Sequence, residues 1–396
     1  MGLRRIEDAD VKDKRVLVRV DFNVPMKDGV VTDATRLMAA MPTISYLKSA
    51  GAKIVLLAHF GRPKGQRVAN ASLMPVVAPL ADMIAAPVEF AEDCIGPVAE
   101  AAVEALKPGG VLLLENTRFH AGEEKNDPEF AAALAKLGDI YVNDAFSAAH
   151  RAHGSTAGVA AYLPAYAGHA LQRELDHLSQ ALKDPRRPVI ALVGGAKVST
   201  KIDLLENLVS KVDRLFVGGA MANTFLAAQG HDVGKSLYEA EFADTARAIL
   251  EAAPKHGCEM ILPVDLVCAR EFAANPDTVT VPVDDIPAGM MALDCGPATV
   301  DALADTIDTC RTLIWNGPLG AFETPPFNTS TVEVAKYVGQ RARANKLIAV
   351  AGGGDTVAAL NQAGAAGDFT FVSTAGGAFL EWMEGKALPG VEAVTD

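Results

Sequence analysis

Positive charge is scarce in this chain: 36 Lys and Arg face 49 Asp and Glu, a formal net charge of −13. That balance offers no general attraction to nucleic acid or to an anionic membrane surface, so neither is expected as a partner. Long apolar runs are missing as well. None approaches the roughly 18 residues that a membrane-spanning helix requires. Residues 1–15 contain no apolar stretch of the signal-peptide kind. The myristoylation pattern fails at Ile6, which stands where Ser or Thr is wanted. A soluble, cytoplasmic protein is expected, and nothing in the chain demands more than a monomer.

Paired cysteines are absent too. Cys94, Cys258, Cys268, Cys295 and Cys310 are scattered, odd in number and contain no CxxC pair. This excludes a disulfide frame and a zinc cage, and reads as reduced thiols buried as small hydrophobes. His150 and His153 stand at i and i+3, but no third ligand follows them in the sequence. Three familiar enzyme signatures fail. There is no G-x-G-x-x-G, which removes the best support for a nicotinamide-dependent dehydrogenase, and no G-x-S-x-G nucleophile elbow. The stretch from Gly230 to Ser236 is one residue short of a P-loop, because its first glycine would have to occupy position 229, which is Gln229.

What is present repeats from end to end. The chain has 396 residues, enough for two or three domains, and 50% of them are apolar. Short apolar runs stop at polar, Gly or Pro clusters and are followed by helix-like stretches. The runs are RVLVRV (15–20), KIVLLA (53–58), VLLLE (111–115), IYVN (140–143), PVIALV (188–193), RLFV (214–217), EMIL (259–262), TLIW (312–315), IAVA (348–351) and FTFVS (369–373). Such alternation marks βαβ units and parallel sheets buried on both faces. The expected fold is α/β, with two doubly wound, mostly parallel, Rossmann-like domains.

The pattern pauses at 167–184, where Leu171, Leu175, Leu178 and Leu182 recur at helical spacing before Pro185. An interdomain hinge helix is expected there. One domain covers 1–166, and a second covers 185–379. Charge divides unevenly across this boundary: residues 1–184 hold 20 cations against 23 anions, whereas residues 185–396 hold 16 against 26.

Ligands of open parallel sheets bind outside the carboxyl ends of the strands. In the first half those ends carry Asp21, Asn23, His59, Arg62, Arg118 and Arg151, with Arg36 in a loop shortly after the first run. Arginine's planar fork grips phosphate and carboxylate, so this set suits a small, multiply anionic metabolite. Any one of these arginines could instead be a surface cation paired with a carboxylate such as Glu115 or Asp144. The second half carries glycine clusters at 194–195, 218–219, 317–320, 352–354 and 376–377. Glycine allows backbone N–H groups to approach phosphates at helix N-termini, which points to a nucleotide.

The segments RVDFNVP (19–25), HFGRPKG (59–65), LENTRFH (114–120), NDAFSAAHRAHGST (143–156), GGAKVSTKI (194–202), NGPLGAFE (316–323), GGGDT (352–356) and STAGGAFLEWMEGKALPGV (373–391) occur in this order. Together they resemble the phosphoglycerate kinase family over nearly the whole chain. The resemblance implies that the first domain binds 3-phosphoglycerate or 1,3-bisphosphoglycerate through Asp21, Asn23, Arg36, His59, Arg62, Arg118 and Arg151. It implies that the second binds MgADP or MgATP. Gly195, Ala196, Lys201, Gly353, Gly354, Asp355 and Thr356 would lie at the phosphates, Gly219, Asn316 and Pro318 would line the cleft, and Glu323 would meet the ribose. Asp355 would hold Mg²⁺. Arg36, Lys197, Gly376 and Gly377 would stabilise the phosphoryl group in flight. The family's C-terminal segment, about 380–396 here, would return to the first domain. Ala375 replaces a family glycine. The alternative is a non-catalytic nucleotide-binding relative, which the joint presence of Arg36, Lys197 and Asp355 argues against.

Overall fold

Each of the ten apolar runs forms a strand in the computed structural model, which describes residues 2–396. The chain divides into two units, residues 1–175 with 387–396, and residues 176–386.

The first unit is built on a six-stranded parallel sheet. Its strands are β1 (Arg15–Arg19), β2 (Lys53–Leu57), β3 (Val88–Ala91), β4 (Val111–Leu114), β5 (Ile140–Asn143) and β6 (Ala165–Ala167), in the spatial order β3-β4-β2-β1-β5-β6. Val16 pairs with Ile54 on one side and Ile140 on the other, so β1 is central. Val16, Val18, Leu56 and Leu113 are fully or almost fully buried, together with Leu37 and Ile44 from α1 (Thr35–Ser49). The chain leaves β1 for β2 on one side and leaves β5 for β6 on the other, which makes the gap between β1 and β5 a topological switch point.

The second unit contains β7 (Val189–Val193), β8 (Arg214–Val217) and β9 (Glu259–Ile261), then β13 (Thr312–Asn316), β14 (Ile348–Gly352) and β15 (Phe371–Ser373). They form a parallel sheet in the order β9-β8-β7-β13-β14-β15, with its switch point between β7 and β13. Between β9 and β13 the chain adds a three-stranded antiparallel sheet of β10 (Asp265–Ala269), β11 (Thr278–Pro282) and β12 (Met291–Cys295), with β10 in the middle. Strands β3 and β6 and this whole sheet have no counterpart among the sequence runs. Their segments are only three to five residues long, each mixes apolar with polar or small residues, and β11 is mostly exposed, so none forms a continuous apolar run.

Other differences concern boundaries. The helix expected over 167–184 begins after β6 as α2 (His169–Leu178) and continues as a π-helical turn over Ser179–Lys183. The division between units falls inside it, after Leu175. The C-terminal crossing falls after Lys386 instead of near 380. A helix over Gly377–Met383 packs on the Ile202–Val209 helix, Asn207 Nδ2 donates to the Met383 carbonyl at 2.6 Å, and Lys386 pairs with Asp203 at 2.8 Å. These contacts tie residues 380–386 to the second unit. Residues 387–396 join the first unit, where Asn143 Nδ2 donates to the Gly390 carbonyl at 2.9 Å and Arg4 to the Ala393 carbonyl at 2.8 Å. All five cysteines are free and buried. No described helix is long and apolar enough to cross a membrane.

Candidate active site

The cationic residues of the first unit converge at the carboxyl edge of its sheet. Arg36 lies in the first turn of α1, not in a loop; just ahead of the helix the Asp33 carboxylate accepts the Thr35 N–H at 2.8 Å. Its Nη1 donates to Asp21 at 2.9–3.0 Å and to the Asn23 carbonyl at 3.0 Å. Asp21 is shared: it also accepts from the Ser147 hydroxyl at 2.5 Å and from the Asn23 N–H at 3.2 Å. Asn23 Oδ1 accepts the Gly61 N–H at 3.0 Å, and Arg118 Nη1 donates to the Gly61 carbonyl at 3.0 Å. The loops after β1, β2 and β4 are thus tied at one point. Arg62 and Arg151 are exposed and form no ion pair among the described residues.

Arg36 pairs with Asp21 and Arg118 with Glu124 at 3.4 Å, whereas Glu115 and Asp144 are engaged elsewhere. Glu115 accepts from Ser72, Leu73 and Asn116, and Asp144 accepts the Ala170 N–H at 2.8 Å at the start of α2. Burial and the surrounding cations both act on the histidines. Burial, then Arg19, Arg118, His153 and Arg36, hold His59 well below its ordinary pKa. Burial, then Arg118, Arg19 and Arg151, push His153 down to about 4. A pocket that suppresses protonation of its own histidines is poised for an anion. Arg19 and His153 belong to this cluster, although sequence reasoning missed both. Arg19 ends an otherwise apolar strand, and a cation at that position was the available signal.

In the second unit the site forms at the switch point. The turn after β7 presses on the turn after β13 so closely that a Cβ on Gly194 would sit 1.9 Å from the Pro318 carbonyl oxygen. One on Gly317, at φ +98°, would sit 2.1 Å from the Gly194 oxygen, so both positions exclude any side chain. Lys201 is half-buried here. Its Nζ donates to the Gly194 carbonyl at 2.6 Å, Asn316 Oδ1 at 2.6 Å and the Asn316 carbonyl at 3.2 Å. Burial lowers its pKa to about 8, against the opposing pull of Asp355. The Thr356 hydroxyl accepts the Gly317 N–H at 2.7 Å, and Asn316 Nδ2 donates to the Gly352 carbonyl at 2.9 Å. These bonds bring the 316–318 and 352–356 segments together.

Two cavities open beside this junction. One, of about 260 Å³, carries charged side chains and takes in Gly195, Lys197, Lys201, Pro318 and Asp355. The other, of about 380 Å³, shares Gly195, Ala196, Pro318 and Asp355 with it and runs on to Gly219, Glu323 and an apolar wall of Leu237, Phe272, Met291, Leu293 and Phe322. A basic chamber continuous with a larger apolar one matches a phosphate chain attached to a flat ring system. The wall residues were not legible in the sequence, since isolated apolar residues on loops and on β12 form no motif. Thr356 stands next to the lysine-bearing chamber through its bond to Gly317, with Gly353 and Gly354 just before it in the chain, but none of the three lines it. Gly376, at φ +56°, precedes the helix that Gly377 opens, and neither lines the two cavities. The near P-loop at 230–236 binds nothing of this kind: Gly230 closes the Ala220–Gln229 helix instead of following a strand.

A single carboxylate beside two lysines and a glycine-lined chamber suits Mg²⁺, which keeps water and phosphate oxygens in its shell and needs only one or two protein oxygens. Asp355 is exposed, lines both cavities and fits that role. Among the described residues one group of three potential metal ligands occurs, Asp93, Cys94 and His120, and the His150/His153 pair is not part of it.

A family model, phosphoglycerate kinase, matches residues 6–386. The chain belongs to the phosphoglycerate kinase family. It is 68% identical over 392 residues to the phosphoglycerate kinase of Maricaulis maris (strain MCS10), covering 99% of this chain and 97% of that one. It is 61% identical over 394 residues to that of Brucella abortus biovar 1 (strain 9-941), covering 100% of both. Among solved structures, phosphoglycerate kinase from Coxiella burnetii superposes with a TM-score of 0.93 at 41% identity, over 99% of each chain. The phosphoglycerate kinase from Pyrococcus horikoshii OT3 superposes at 0.81 with 31% identity, over 99% of this chain and 98% of that one.

Proposed function

We propose that the chain performs the reaction of its family with the work divided between its units: 3-phosphoglycerate or 1,3-bisphosphoglycerate on the first, MgADP or MgATP on the second. The carrying observation is the contrast between the two switch points. One is ringed by Arg36, His59, Arg62, Arg118 and Arg151, and the other joins a glycine-lined chamber bearing Lys197, Lys201 and Asp355 to a larger apolar one. The acyl phosphate passes from 1,3-bisphosphoglycerate to ADP, giving 3-phosphoglycerate and ATP, and the reverse step uses the substrate carboxylate as nucleophile. With a pKa near about 4 that carboxylate is already ionised at neutral pH, so no general base is required.

Phosphoryl transfer is loose, and catalysis rests on positioning and on neutralising charge at the equatorial oxygens. Arg36, oriented by Asp21, and Lys197, exposed on the turn after β7, are the cations proposed for that task. Asp355 would hold Mg²⁺, which when bound supplies further neutralisation of the nucleotide phosphates. Because each substrate has its own unit, turnover requires the units to close until the attacking oxygen and the phosphorus lie about 3–3.5 Å apart. Closure would also keep water from the acyl phosphate.

A thermal-shift series tests the division. MgADP and 3-phosphoglycerate should each raise Tm, and Arg36→Ala should abolish most of the 3-phosphoglycerate shift while leaving the MgADP shift intact. Loss of the MgADP shift alone would show the units assigned the wrong way round.

Lys201 adds a pH dependence. Its depressed pKa leaves it mostly charged at pH 7 and neutral above about 8. ADP affinity should therefore hold below pH 8 and fall by about tenfold per unit above it, up to the pKa that Lys201 takes in the complex. Calorimetric titrations from pH 7 to 9.5 should show this bend in the native enzyme and a flat, weaker profile in Lys201→Met. A bend of equal size in the variant would assign it to another group.

A further inference from the structure

A file of buried polar groups runs behind His59. Glu123, fully buried, accepts the Ser155 hydroxyl at 2.5 Å and the Thr117 hydroxyl at 3.2 Å on Oε1, and the Ser155 N–H at 2.8 Å on Oε2. Ser155 Oγ, its own proton committed to Glu123, accepts from Arg19 Nε at 2.8 Å. Arg19 is fully buried in β1. Its Nη1 donates to the Val20 carbonyl at 2.5 Å, and its Nη2 meets His59 Nδ1 at 2.7 Å. Guanidinium carries donors and no acceptor, so His59 Nδ1 must be the accepting lone pair, and a neutral ring then carries its proton on Nε2.

We infer that Glu123 is a positioning residue for His59. Acting through Ser155 and Arg19, it holds the imidazole as the neutral Nε2–H tautomer, a fixed donor for a substrate carboxylate or phosphate. The direction of each bond follows from the one before it. A carboxylate can only accept, which turns the Ser155 hydroxyl toward it and leaves the serine lone pairs to Arg19. That bond fixes the guanidinium plane, which in turn presents Nη2 to the histidine. Glu123 also places a carboxylate one hydroxyl away from the buried Arg19 cation, a charge that would otherwise be costly to hold there. The charged and titratable groups acting on His59 are Arg19 on β1, Arg118 beyond β4, Arg36 on α1 and His153 in the 150–156 loop. All four oppose its protonation, so the file need only select the tautomer.

This inference rests on the proposed placing of 3-phosphoglycerate on the first unit only for its consequence, not for the tautomer. The test is nitrogen NMR on enzyme labelled at its eight histidines, with His59 assigned through His59→Gln. Without substrate, native His59 should show a lone-pair Nδ1 and a protonated Nε2, with no titration between pH 6 and 8. In Glu123→Gln the amide reverses the donor order. The two tautomers should then mix, and KM for 3-phosphoglycerate should rise about tenfold while KM for nucleotide stays within twofold. Ser155→Ala should reproduce this, and Ser155→Thr, which keeps the hydroxyl, should restore the native spectrum; this pair decides the matter if Glu123→Gln does not fold. A native tautomer retained in Glu123→Gln or in Ser155→Ala overturns the inference. A lost tautomer with unchanged KM overturns instead the placing of the substrate against His59.

Discussion

Replacing Lys197 with alanine should lower kcat by about 10²–10³ while the ADP Kd stays within a few-fold. The two lysines of the smaller chamber differ in what they are free to do. Lys201 is half-buried and donates to three protein oxygens, so its charge is spent in holding the β7 and β13 turns and in the standing potential of the chamber. Lys197 is exposed at the residue before a short 3-10 turn over Val198–Thr200. That turn is anchored independently, because Glu239 accepts from the Ser199 N–H at 2.9 Å and from its hydroxyl at 2.5 Å. Removing the Lys197 side chain therefore leaves the loop in place and subtracts one mobile cation. An interaction made mainly with the transferring group appears in kcat and scarcely in ground-state binding. Deleting one donor to developing charge costs about 2.7–4 kcal/mol in a water-excluded site. Steady-state kinetics in both directions, with ADP calorimetry, make the comparison. Unchanged turnover would remove Lys197 from the mechanism, and a matched loss of ADP affinity would make it a binding residue like Lys201.

Such roles were legible in the sequence to the extent that they sit where strands end. The apolar runs around Val16, Ile54, Ile190 and Leu313 are buried on both faces, and a strand buried on both faces advertises itself by composition. The polar residues that stop them, such as Asp21, His59 and Asn316, then fall at the carboxyl edge by topology alone. What the sequence concealed depends on tertiary contact. Arg36 read as a loop residue because its helix begins at Thr35 behind Ala34, which supplies no side-chain cap to mark the start. Arg19 stood unremarked inside an apolar run, although it is fully buried and contacts Ser155, 136 positions away. The apolar wall of the larger cavity draws Leu237, Phe272 and Phe322 from three separate loops, and no local pattern unites them.

The glycine at position 194 should tolerate nothing larger. Gly194→Ala is expected to destabilise the second unit by about 3 kcal/mol or more and to abolish nucleotide-dependent thermal protection. The added Cβ would lie 1.9 Å from the Pro318 carbonyl oxygen, 2.7 Å from its carbon and 2.9 Å from the Gly317 oxygen. All three are backbone atoms, which cannot rotate aside as a side chain would. Relief therefore requires the β7 and β13 turns to separate, although each is held at both ends. The Gly194 N–H donates to the Asn316 carbonyl at 3.0 Å, and β7 and β13 are paired from Thr312 with Val189 to Asn316 with Val193. Separation would also pull Lys201 from at least one of its acceptors and unseat Thr356 from Gly317. Overpacking a tight interior costs about 1–3 kcal/mol when side chains absorb it, and a backbone obstruction belongs at or beyond the upper end. For a unit of this size, 3 kcal/mol corresponds to a Tm lower by about 6–12 °C. By contrast, Gly354→Ala adds a Cβ with nothing within 4 Å and should leave stability nearly unchanged, so the pair separates steric closure from a general intolerance of glycine loss. Calorimetry of the two variants, with and without MgADP, decides it. A Gly194→Ala enzyme that melts with the native protein and keeps its MgADP shift would mean that the two turns are not held at the separation described here.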